Sequence, residues 1–94
     1  MGAIKTQKIR RQLLKKGFKE DSTHHQMYWF YHGERRTSIR TRLSHGYAEY
    51  GDKLLAQVAR QMRLNKRQLL RFIDCAITYE VYLRMLLEAG EVDP

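Results

Sequence analysis

The sequence predicts an α+β fold: a three-stranded antiparallel sheet with helices packed on one face, in α-β-β-β-α order, followed by one or two extra C-terminal helices. Three observations predict it. A basic amphipathic segment comes first, the one stretch dense in aromatic residues follows and is broken by Gly33-Glu34, and apolar residues recur at helical spacing after Asp52. Ninety-four residues suffice for one compact core and not for two, which predicts a single domain over residues 1–94.

In "IKTQKIRRQLLKKGF", Ile9, Leu13 and Leu14 share a helical stripe and Gly17 supplies the stop. Phe18 to Asp21 reads as a short strand running into the polar turn "EDST". Gln26 to His32 is rich in Tyr, Trp and Phe, which favour strands, and "RRTSIRTRL" resumes with β-branched residues after the turn. A hairpin centred on Gly33-Glu34 sets His32 opposite Arg35, Phe30 opposite Thr37, Tyr28 opposite Ile39 and Met27 opposite Arg40. Opposed residues share a side of the sheet. One face then carries His24, Tyr28, Phe30, Thr37, Ile39 and Leu43, and the other carries His25, Met27, Trp29 and Tyr31 among Arg36, Arg40 and Arg42.

Beyond the loop "SHGYAEYG", Asp52 is expected to cap a helix whose stripe is Leu54, Leu55, Val58, Ala59 and Met62. "NKRQ" at 65–68 has the form of a capping box opening a second helix through Leu69, Leu70 and Ile73. Thr78 caps a last helix from Tyr79 to Ala89, which Gly90 ends. Cys75 has no cysteine to pair with, which predicts a cytoplasmic chain, and it is expected to be buried as a small hydrophobe. No apolar run is long enough to span a membrane, and the residues up to Gln12 lack the apolar centre of a signal peptide.

The net charge of +8 is unevenly spread. Up to Ile73 there are seventeen Lys or Arg against five acids, whereas Asp74 to Pro94 has one Arg against five acids. A basic field of this kind attracts polyanions and also serves solubility.

Three segments, in order over roughly residues 9–62, resemble the HicA family of toxin-antitoxin ribonucleases. "LLKKGF" is similar to the end of that family's first helix, and "STHHQMYWFYHGERRTSIRT" to its hairpin. "HGYAEYGDKL" is similar to its H-G-x-x-E-x-x-G-x-L loop, matched at His45, Gly46, Glu49, Gly51 and Leu54. The resemblance implies a double-stranded-RNA-binding-domain-like fold, with residues 5–63 as the core and 64–94 as a C-terminal helical extension. It also implies a metal-independent RNA endonuclease without a cofactor, neutralised by a HicB-like antitoxin protein. The family's catalytic histidine falls on His24, and Ser22 stands where the family has Gly.

The chemistry asks little of the protein. RNA carries its own nucleophile in the 2′-OH, and an imidazole titrating near neutrality can take that proton or give one to the leaving oxygen. His24 ranks first for this task and His25 second. His32 at the turn reads as a surface residue, and His45 as a hydrogen-bonding residue of its loop. Arg40 and Arg42 would stabilise charge on the phosphate, Arg36 stands beside them, and Lys15, Lys16 and Lys19 would hold the flanking backbone. Trp29 and Tyr31 would stack on unpaired bases, or else fill a core or a protein interface. Strand neighbours such as His24 and His25 point to opposite faces, so no metal site is expected. Two further readings stay open: a non-catalytic RNA-binding module, and a protein-interaction domain using the open aromatic face.

Overall fold

The computed structural model describes residues 3–21, 23, 26–44 and 46–94. The elements are β1 (Ile4–Lys5), α1 (Thr6–Lys15), β2 (Phe18–Glu20), β3 (Met27–His32), β4 (Arg35–Arg42), β5 (Glu49–Tyr50), α2 (Asp52–Gln61), α3 (Lys66–Ile73) and α4 (Tyr79–Glu88). The fold is mixed α+β, with a three-stranded antiparallel sheet in the order β2-β3-β4 and four helices. A two-stranded ribbon, β1 against β5, joins the start of α1 to the approach of α2 by pairing Ile4 with Tyr50 and Lys5 with Glu49. No helix among the described residues is long and apolar enough to cross a membrane.

Gly17 ends α1 at φ +97°, a left-handed conformation that glycine adopts without steric cost. Space matters there as well, because a Cβ would stand 2.6 Å from the Tyr79 ring and 2.9 Å from the Phe30 ring. The chain thus turns directly into β2 with sheet and C-terminal helix closed around it.

The hairpin register differs from the one the turn alone predicts. His32 pairs with Arg35 and Tyr31 with Arg36, but a bulge then shifts the ladder so that Trp29 meets Arg40, Tyr28 meets Thr41 and Met27 meets Arg42. The slip amounts to two residues on β4, and side chains alternate with a period of two, so the sides of the sheet are preserved. Thr37 fills the irregularity by donating its hydroxyl to the Phe30 carbonyl at 2.8 Å. Tyr28, Phe30, Ile39 and Thr41 are buried, whereas Arg36, Arg40 and Arg42 are exposed.

The buried side is an aromatic assembly that draws in the C-terminal helices. Phe30 lies 5.0 Å from Tyr82 and 5.2 Å from Phe18, and Tyr82 lies 5.3 Å from Phe72, all centroid to centroid. Edge-on and tilted pairs of this kind add about 0.5–1.5 kcal/mol each beyond the area they bury. Residues 64–94 therefore share one core with the residues before them.

Local capping follows the sequence at two helices and departs from it at a third. Asn65 accepts from the Gln68 amide while the Gln68 side chain accepts from the Asn65 amide, and Thr78 accepts from the Val81 amide. At α2 the cap is Gly51 instead, and Asp52 is the first helical residue. Its carboxylate still favours the positive helix start, and it holds Lys66 at 2.5 Å. Cys75 is exposed rather than buried, at φ +66° just past α3, with its thiol 3.3 Å from the Gln12 side-chain oxygen. The left-handed turn that ends α3 carries it out of the core.

Lys16 is only 5% exposed. Its ammonium donates to the carbonyls of Phe72 at 2.5 Å and Ile77 at 2.8 Å, and lies 4.7 Å from the Phe72 ring centre. At the end of α3 this cation adds to the one bond that the Phe72 carbonyl accepts from the Cys75 amide at 3.2 Å, and it reaches the Ile77 carbonyl beyond the helix. Burial lowers its pKa below the ordinary lysine value. Replacing Lys16 by Met keeps the apolar stem and takes the ammonium from both carbonyls, leaving that of Phe72 with the Cys75 amide at 3.2 Å, so stability in urea should fall by about 1–3 kcal/mol, and an unchanged midpoint would contradict the capping role.

Tyr82 is fully buried and donates to the Met62 carbonyl at 2.8 Å. Burial raises its phenol well above the usual tyrosine value, and raises that of Tyr28 in the same direction. A raised folded-state pKa gives stability that is fully present below the unfolded value and is lost as pH rises past about 10. Urea midpoints should therefore decline above that pH, and Tyr82→Phe should flatten the decline; an identical slope in the variant would count against it.

Candidate nucleic-acid interface

The face of the sheet opposite Tyr28 and Phe30 is organised in rows across the strands. Lys19, Trp29 and Arg40 stand opposite one another on β2, β3 and β4, flanked by Met27 with Arg42 on one side and Tyr31 with Arg36 on the other. The guanidinium carbon of Arg36 lies 4.2 Å from the Trp29 ring centre and that of Arg40 lies 5.2 Å away. The Lys19 ammonium lies 4.4 Å from the Tyr31 ring centre. Such exposed cation–π contacts hold long side chains in place with only about 0.5–1 kcal/mol each. They are weak enough to exchange for a ligand.

At one end this face opens into a basin of about 1120 Å³, lined by Gln7, Arg10, Glu20, Asp21, Thr23, Gln26, Met27, Trp29, Arg40 and Arg42. Of the residues nominated from sequence, the basin brings together Trp29, Arg40 and Arg42. Lys15, Lys19 and Tyr31 share a separate shallow cleft at the other end of the face. Lys16 does not belong to either, and the expectation that it holds phosphate is corrected by its burial among backbone carbonyls. His24 and His25, like Ser22 and His45, lie outside the described residues. Their chain neighbours Thr23 and Gln26 both line the basin.

Asp21 joins three described residues on either side of the two histidines in sequence. Its amide donates to the Met27 carbonyl at 2.9 Å, one carboxylate oxygen accepts from the Thr23 amide at 2.7 Å, and the other accepts from the Trp29 indole at 3.1 Å. On the far side, Arg42 donates through Nε and one terminal nitrogen to the Gln26 side-chain oxygen at 3.2 and 3.0 Å. A single carboxylate thus couples the Thr23 backbone to the orientation of the indole.

Arg10 was not among the residues nominated from sequence. It donates to the Tyr28 hydroxyl at 2.9 Å and to Glu20 at 3.1 Å, and the Tyr28 hydroxyl donates to the same Glu20 oxygen at 3.2 Å. The hydrogen bond to Glu20 is the main cause raising the Arg10 pKa above its ordinary value. Arg10 is one of four basic residues spread along α1, and only the packing of α1 beside the sheet singles it out. His32 is placed at the hairpin turn, its Nδ1 3.2 Å from the Asp93 carbonyl, while Arg35 donates to the carbonyls of Asp93 and Pro94.

Among the described residues no three His, Cys, Asp or Glu side chains converge as a metal site would require. What the arrangement offers is an aromatic floor with exposed cations over it, and a basin walled by three arginines together with Glu20 and Asp21. No family model, curated protein or solved structure matches the chain, so its likeness to HicA toxins rests on the three sequence segments quoted for it.

Proposed function

We propose that this protein binds RNA along the outer face of its sheet and cleaves it in the basin, as a small metal-independent endonuclease of the HicA-like toxin kind. The observation that carries this reading is the cross-strand row Lys19-Trp29-Arg40 leading to a basin with Arg10, Arg40 and Arg42 on its walls. Phosphates are recognised by cations and unpaired bases by aromatic planes, and both are arrayed here on one surface. Stacking a base on Trp29 is worth about 1–3 kcal/mol, comparable to the two exposed cation–π contacts, from Arg36 and Arg40, that it would replace. The freed guanidinium then has a phosphate within reach.

In the chemical step a 2′-oxygen attacks the adjacent phosphorus, giving a cyclic phosphate and a free 5′-hydroxyl. His24 is the proposed proton carrier, with His25 second to it. The proton leaving the 2′-OH and the one gained by the departing oxygen both pass through a side chain of this type. Arg40 and Arg42 face the charge that builds on the non-bridging oxygens, and Lys15, Lys19 and Arg36 hold backbone further along. The same reading takes the helix, three strands, helix order, with helices on one side of the sheet, as the double-stranded-RNA-binding-domain-like arrangement. It places the protein in the cytoplasm, opposite a HicB-like antitoxin that would cover the Trp29 face.

Purified protein incubated with RNA in EDTA should cleave it, and His24→Ala should leave the RNA intact while binding it with unchanged salt dependence. Arg40→Ala should weaken binding and lower the slope of log affinity against log salt by about one. RNA left equally intact by wild type and His24→Ala would overturn the catalytic proposal. Binding insensitive to salt would overturn the phosphate contacts.

A further inference from the structure

We infer that the cleft beside Tyr47 is a nucleobase subsite, receiving one base of a single RNA strand whose adjoining phosphate lies at Arg10. The inference rests on the RNA-binding reading above and adds to it a second aromatic platform on a different part of the fold.

Tyr47 is 55% exposed, more than Leu14 or Val81, the other large apolar side chains described as exposed. Isolated exposed aromatics are common and need no ligand to explain them. This one, however, is fixed from behind. The Thr6 hydroxyl donates to the Tyr47 carbonyl at 2.7 Å, and the Thr6 amide donates to the Ala48 carbonyl at 2.9 Å. The Tyr47 ring stands edge-on to Tyr50 at 6.2 Å, and Tyr50 is itself buried, its hydroxyl accepting from the Ser44 amide at 2.7 Å. Backbone and ring are both anchored, which removes most of the ordering cost that a stacking platform would otherwise meet.

The cleft it borders is about 720 Å³, with Leu43 and Tyr28 among its apolar walls and Gln7 and Ser44 offering amide and hydroxyl groups to a base edge. Lys5 and Arg10 set two cations on its rim beside the carboxylate of Glu49, and the Arg10 guanidinium, already paired with Glu20, keeps the donors that a phosphodiester would have to share. Gln7 and Arg10 also line the basin of the Trp29 face, so the two hollows are adjacent with Arg10 on the boundary. A strand held by phosphate at Arg10 can therefore lay one base against Trp29 and another against Tyr47.

The test uses the full chain and a short single-stranded RNA containing 2-aminopurine, 2′-O-methylated throughout so that it is not cut. Wild type and Tyr47→Phe should quench the 2-aminopurine on binding, since both keep the aromatic plane. Tyr47→Leu keeps apolar bulk without that plane; with the 2-aminopurine at a position whose quenching Trp29→Leu leaves intact, it should lose the quenching and bind about tenfold more weakly, with the salt slope unchanged because no phosphate contact is removed. Thermal melts establish that the variants remain folded. A Leu variant that binds and quenches like wild type overturns the subsite while leaving RNA binding standing, and points to a protein side chain as the occupant of the cleft. Failure of wild type to bind the RNA at low salt overturns both.

Discussion

Along β3, Tyr28 and Phe30 are buried while Trp29 and its neighbours face the other way, and neither set can move without the other. A slip of one residue would expose two fully buried rings, each contributing about 1.5–3 kcal/mol by its burial, and would push cations toward the core. Against a total stability of about 5–15 kcal/mol for a domain, that penalty is decisive. The bulge in β4 is tolerated because it displaces the ladder by an even number of residues, so Arg36, Arg40 and Arg42 remain on the Trp29 side. The outer surface is thus fixed by what the inner surface buries.

Lys16 and Lys19 show how the same chemistry is divided between structure and surface. They stand three residues apart on either side of Gly17, and the sharp turn there sends one ammonium to the carbonyls of Phe72 near the end of α3 and Ile77 beyond it, and the other over the ring of Tyr31. The first ties α1 to the C-terminal helices; the second remains available to an anion. The acidic bias after Asp74 fits this division, since the later helices supply core rings and the earlier residues supply the basic face.

Much of the architecture was legible where a local rule has a short range. The Gly17 stop, the Asn65 capping box and the Thr78 cap each depend on a few neighbouring residues. The β1–β5 ribbon was not legible, because two-residue strands carry no periodicity and its partners are more than forty residues apart. The hairpin register was missed for a related reason: a turn fixes the first pairs and says nothing about a bulge beyond them. Within the candidate site, Trp29, Arg40 and Arg42 follow from strand alternation, whereas Arg10 depends on how α1 lies beside the sheet. Lys16 was misassigned because charge alone does not reveal that carbonyls from residues more than fifty positions away will enclose it.

Trp29 is the only tryptophan in the chain, and it sits in the middle of the proposed RNA surface. Its fluorescence during titration with single-stranded RNA is therefore the most direct measurement available. If bases stack on that face, the emission should change saturably with RNA, acrylamide should reach the indole less readily in the complex, and the midpoint should weaken steeply with added salt. RNA that binds, as seen independently by anisotropy, while leaving the emission and the acrylamide quenching of Trp29 unaltered would contradict the assignment of this face.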